Sequence, residues 1–164
     1  MLSLLSQIEQ SGLATWIHES GSLLGYPLIL FLHTLGFGTL VGINAAIDIR
    51  LLGFGAGIPL KSFDRTFLLM WSGFALNAVT GSLLFIADAT KHATNPAFYV
   101  KLVFVAAALV TLTKIRKKIF RTSGTDERSI ERQGKILAAT SLSCWLIAIT
   151  AARLMAYIAE YINA

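Results

Sequence analysis

The sequence has few charges, a single cysteine, and no lysine or arginine before Arg50. Each shortage excludes something. Charged residues make up 14% of the 164 positions, against about 25% in average soluble domains. With Cys144 alone, no intrachain disulfide can form. That cysteine falls inside an apolar run and reads as packing. The opening MLSLLSQIEQSG carries no positive n-region, so no cleavable signal peptide is expected. No nucleophile stands in a pattern with a base and an acid, so no independent catalytic activity is expected.

What is abundant is apolar. Hydrophobic residues reach 55% and the mean hydropathy is +0.66. Four apolar runs stand out, about 26–47, 67–86, 97–113 and 136–157. Each approaches the ~20 residues a helix needs to cross ~30 Å of hydrocarbon. A backbone in lipid must satisfy itself, which favours helices. The runs are too continuous for barrel strands, which alternate over ~10 residues. The expected fold is all-α: an up-down four-helix transmembrane bundle over residues 26–164, preceded by a surface segment over residues 1–25. In that segment Leu4, Leu5, Ile8, Leu13, Trp16 and Ile17 are spaced like a helix stripe, so one or two short interfacial helices are expected.

Charge placement orients the bundle. Of the 14 basic residues, eleven fall in the connections after the first and third runs, from Arg50 to Arg65 and from Lys114 to Lys135. Basic loops stay cytoplasmic. Both termini and the 88–96 connection are therefore expected on the outer, periplasmic side of a bacterial inner membrane. The cluster KIRKKIFR, Lys114–Arg121, reads as a juxtamembrane topology signal touching anionic lipid rather than as a nucleic-acid patch. The 122–134 stretch reads as a soluble cytoplasmic loop. GFGAGIP, Gly53–Pro59, has no preceding strand, which removes a nucleotide fingerprint. Gly38 and Gly42 form a small-xxx-small step that lets another helix approach closely. With the small size of the chain, this step suggests a homo-oligomer or a subunit of a larger membrane complex. Asn95-Pro96 reads as the cap and first turn of the third span.

Ionisable groups inside a span cost roughly 2.5–3.5 kcal/mol on insertion scales, so each needs a reason. His33 lies about 10 Å in from Tyr26 at 1.5 Å per residue, and Arg153 about 12 Å in from the same face. Lys101 and Asp88 are also near that face. Four helices therefore send His33, Asp88, Lys101 and Arg153 into the outer half of the bilayer. Asn77 and Thr80 are neutral helpers, and Asn44 nearly shares the face of His33. Thr150, Arg153 and Tyr157 share one face of the fourth span, which a packed bundle would turn inward. Lys101 occupies the second turn of its helix, where the dipole disfavours a cation. An anion such as Asp88 or a ligand carboxylate would repair this, as would snorkelling to the interface. Asp48 and Arg50 read as an end cap and a topology charge.

Three readings of His33 remain open. It is a neutral ring hydrogen-bonded to Thr80 or Asn77, or it is a metal or haem ligand, or it serves a proton relay or a quinone contact. In the second, a b-type haem for electron transfer has His33 as axial ligand and is five-coordinate, or takes its sixth ligand from His92, Met155 or another protomer. Lys101 and Arg153 pair with the propionates, Asp88 orients one of them, Asn77 and Tyr157 line the site, and glycines make room for the macrocycle. The alternatives are a quinone or lipid pocket, or a non-catalytic accessory subunit. Transport has no broken helix or inverted repeat behind it.

The pieces GYPLILFLHTLGFGTLVGINAAIDIRLLG, TGSLLFIADATKHATNPAFYVKL and AARLMAYI resemble a family of small bacterial four-helix membrane proteins of uncharacterised activity. The shared pattern falls on Pro27, His33, Gly36, Asp48, Arg50, Gly53, Gly81, Asn95, Phe98, Lys101, Arg153 and Tyr157. A carboxylate found in some relatives near Leu30 is missing here. The layout also looks like the copper-resistance and diheme cytochrome four-helix families, but without their paired histidines. The resemblance implies fold and topology and supplies no chemistry.

Overall fold

A computed structural model describes residues 2–19, 23–55, 57–120 and 127–162. Every regular element among the described residues is helical. In chain order they are α1 (Leu2–Glu9), α2 (Gly12–Glu19), α3 (Tyr26–Leu51), a 3-10 turn (Leu60–Phe63), α4 (Thr66–Ala87), α5 (Ala89–Ala93), α6 (Pro96–Ile115), a π-turn (Arg116–Phe120) and α7 (Glu127–Ile162). Four helices are long and apolar enough to cross a membrane, over Tyr26–Leu51, Thr66–Ala87, Pro96–Lys118 and Glu131–Met155. The all-α four-helix expectation holds, and the surface segment forms two short helices.

Local signals set the boundaries. Pro27 lies in the first turn of α3, where its missing N–H costs nothing. Gly53 and Gly55 end α3 with φ of 109° and 68°, values that L side chains rarely adopt. The Asn95 side chain accepts from Ala97 N at 3.0 Å, capping α6, and Pro96 follows in its first turn. The Asn95 amide also donates to Met155 O at 3.0 Å, which ties the start of α6 to α7. One boundary differs from expectation. α7 begins at Glu127, so residues 127–134 are helix rather than loop. With 36 residues, α7 is about 54 Å long, more than a bilayer core needs.

Packing follows small residues. α3 lies closely along α4, α6 lies along α7, and α3 joins the two pairs through α7. The α3–α4 crossing is at Gly36 and Gly73. A Cβ on Gly36 would lie 2.8 Å from Gly73 O and 2.9 Å from Asn77 N, and one on Gly73 would lie 3.0 Å from Gly36 O. Gly38 and Gly42 behave differently, with nothing within 4 Å of a Cβ at either position. Among the described residues no helix uses that step, because it lies on the outward face of α3.

The main core fills the half of the bundle nearer the α3–α4 connection, named the inner half after the expected orientation, where Leu40, Ile47, Phe67, Met70, Leu112, Ile115 and Trp145 meet from four helices. Cys144 belongs to it, as packing. A second cluster at the outer end joins Ile17 of α2 to Ile29, Leu84 and Ala87. The N-terminal helices thus dock onto the bundle while Leu4, Leu13 and Trp16 stay exposed. Glu9 accepts from Thr90 N and Thr90 Oγ1, both at 2.8 Å, and so holds the short α5 against α1.

The crossing separates two glycine classes by stability. Gly36→Ala should cost about 1–3 kcal/mol, the usual range for overpacking, whereas Gly38→Ala should leave the detergent melting temperature nearly unchanged. Equal melting of the two variants would contradict the crossing.

Candidate functional site

His33 is placed by the Gly36–Gly73 crossing, which brings its turn of α3 against α4. Its Nδ1 lies 3.1 Å from Asn77 O and 3.1 Å from Thr80 Oγ1. The Thr80 hydroxyl donates its proton to Leu76 O at 2.7 Å, so towards His33 it accepts. Two acceptors at Nδ1 place the N–H there, which makes Nε2 of the neutral ring an acceptor. The Asn77 amide lies 3.4 Å from Nε2. That amide has its main bond to His33 O, at 2.9 Å. Gly81 explains the fit of the ring, since a Cβ there would lie 3.0 Å from His33 Cε1. The expected bonds to Thr80 and Asn77 are both present. Gly36, Gly73 and Gly81, in contrast, are used by helix contact and by the imidazole.

Lys101 enters from α6. Its side chain is partly buried, and among the described residues its ammonium has no hydrogen-bond or ion-pair partner. It lies close enough to act electrostatically on both His33 and His92. His92 stacks with Phe98, with centroids 5.7 Å apart, and Phe98 stacks on Phe85 at 5.5 Å. The His92 Nδ1 is buried without a hydrogen-bond partner among the described residues. Burial pulls the His92 imidazole below its ordinary value. Asp88 and Glu9 pull the other way, while Lys101 and Lys91 reinforce the burial.

The other expected members go elsewhere. Asp88 sits 3.8 Å from His18 Nε2 of α2 and forms no described pair with Lys101. Thr150, Arg153 and Tyr157 do share a face of α7, but it is the exposed face. The expectation that this stripe turns inward is corrected. α7 buries Ala138, Ser141, Cys144, Trp145, Ala148 and Ala151 instead, because small side chains allow close helix contact. Arg153 and Tyr157 therefore do not line an interior pocket with His33. No group of three His, Cys, Asp or Glu side chains suited to a metal ion occurs among the described residues.

The chain matches no protein-family model, no curated protein and no solved structure.

Two further features lie in the inner half. A cavity of about 140 Å³ between α4 and α6 is lined by Phe67, Trp71, Leu112, Thr113, Arg116 and Lys117. Arg116 lies over the Phe67 ring, 5.1 Å from its centroid. The second feature was misread in the sequence. Asp48 is no end cap: it is fully buried with Asn44 and Ser141. The Asn44 amide donates to Asp48 Oδ2 at 2.6 Å and to Ser141 Oγ at 2.7 Å. The signal available was the four-residue step from Asn44 to Asp48, which stacks two polar groups on one helix face.

His92 gives a pH signature. The unfolded chain takes up a proton at this histidine near pH 6.5, and the folded ring resists it. The corresponding stability is fully present above that value and falls as pH drops through it. Melting temperature should therefore decline below about pH 6.5, and His92→Phe, which keeps the stack, should flatten the decline. An unchanged pH slope in that variant would exclude His92 as its source.

Proposed function

We propose that this multi-pass membrane protein binds a membrane-soluble ligand carrying an oxygen acceptor, of the quinone class, in the outer half of the bundle. The observation that carries this reading is the Lys101 ammonium, partly buried within a span and without a described partner. A buried cation in lipid demands an acceptor. His33 Nε2 and the Phe85–Phe98 stack supply a polar contact and an apolar wall near it. A hydrogen bond from a charged donor contributes about 1.5–3 kcal/mol, so Lys101→Met should weaken retention roughly 10- to 150-fold. Mass spectrometry of lipid extracts from the purified protein checks this. Quinone retained equally by wild type and Lys101→Met, or by neither, would count against the reading.

A second reading has its own observation. Asn77 O holds the His33 Nδ1–H and leaves Nε2 available, the arrangement that orients metal-bound histidines. His33 thus fits one axial position of a b-type haem, which would supply one-electron transfer. The remaining partners fit less well. His92 is stacked on Phe98 with Phe85 tilted beside it, and Arg153 and Tyr157 face outward. The visible spectrum separates the readings. A Soret band lost in His33→Ala supports haem, and a colourless preparation from haem-replete cells rejects it. A protein with neither haem nor quinone would favour the accessory-subunit reading. The unused Gly38/Gly42 step on α3 supports assembly with a second copy or another membrane chain.

For orientation, the basic residues between the first and second spans and between the third and fourth support an inner-membrane protein with both termini periplasmic. Reporter fusions after Ala164 and within residues 122–134 should report the outside and the inside respectively. A cytoplasmic Ala164 fusion would overturn this orientation.

A further inference from the structure

The Asn44–Asp48 pair is short of one hydrogen. Both residues are fully buried in α3. One edge of the pair is bonded, Asn44 Nδ2 to Asp48 Oδ2 at 2.6 Å. Each residue also keeps one oxygen, Asn44 Oδ1 and Asp48 Oδ1, buried without a hydrogen-bond partner among the described residues. An amide oxygen and an ionised carboxylate oxygen are both acceptors, so they cannot bond each other. Leaving one such group unsatisfied costs about 1–3 kcal/mol, and here there are two. A single hydrogen between the two oxygens would answer for both.

We propose that Asp48 and Asn44 form a proton-binding site in the inner half of the bundle. One proton, taken from hydronium and leaving water, forms an O–H bond on Asp48 Oδ1 and is donated to Asn44 Oδ1. The result is a closed acid–amide pair with two parallel hydrogen bonds and no buried charge. Ser141 extends it across to α7, accepting from Asn44 at 2.7 Å.

Among the described residues the surroundings supply no competing charge. Asp48 is within hydrogen-bonding reach of Asn44 and Ser141, and no described charged group acts on it. On its own helix, Arg50 is turned away, donating to Ile58 O at 2.7 Å. The neighbouring elements contribute Phe67 and Met70 from α4, Leu112 from α6, and Cys144 from α7, whose thiol is the titratable group among these four. Arg116 of the π-turn is engaged with the Phe67 ring. A sodium ion would also neutralise a carboxylate, but hard cations seek a shell of about six oxygens. The two unpartnered oxygens and Ser141 Oγ fall well short of that.

Infrared spectroscopy of the full-length protein at neutral pH tests the site. A protonated-carboxyl C=O band, shifted in deuterated water, should be present in wild type. It should be lost in Asp48→Asn and retained in Asp88→Asn. Asp48→Asn preserves a closed amide–amide pair and should melt near wild type, while Asp48→Leu should melt lower. Wild type without the band at neutral pH would overturn the proposal, and that result needs no variant to fold. A band present in choline chloride but replaced by carboxylate absorption in sodium chloride would assign the site to sodium, and would likewise overturn it.

Discussion

The contact between the backbones of α3 and α4 at Gly36 and Gly73 controls what the outer half of the bundle can do. Two helices this close have no room for side chains at the crossing, so residues one turn away are forced into register. His33 lands between Asn77, Thr80 and Gly81 because the crossing fixes both the depth and the rotation of the helices. The same contact explains where the space at Gly36, Gly73 and Gly81 goes. Their missing side chains are already used by the opposite helix and by the imidazole.

Lipid makes every internal polar group account for its partners, since no water is at hand in the hydrocarbon. The two polar layers meet this demand differently. In the outer half, His33 satisfies Nδ1 twice, while Lys101 and His92 Nδ1 lack partners among the described residues. In the inner half, Asn44, Asp48 and Ser141 satisfy one another except at one oxygen each of Asn44 and Asp48. That layer is fully buried and lies beside the main core.

Several elements were readable from residue order because they depend on local chemistry. The spans follow from apolar length, the start of α6 from Asn95-Pro96, and the end of α3 from Gly53 and Gly55. The bonds from His33 to Asn77 and Thr80 were among the readings that depth alone allowed. The stripe of Thr150, Arg153 and Tyr157 was placed correctly on one face and then turned the wrong way. Periodicity reports which residues share a face, and in a membrane both faces of a helix are apolar enough to be buried. The direction was set by Ala138, Ser141, Cys144 and Ala148, whose small size lets α7 approach its neighbours.

Asn44 shows the same division at a single residue. It shares the inward stripe of α3 with His33, Gly36 and Leu40, as its spacing implied. Yet His33 bonds to α4 and Asn44 to α7. Two helices that cross at an angle diverge away from the crossing, so one stripe meets two partners along its length. The sequence by itself determined the helical class, the four spans and the polar residues available at each depth, because these depend on hydropathy and local backbone chemistry. Only the tertiary structure decided which polar residues meet, because that depends on crossing geometry and on which small side chains let two backbones touch.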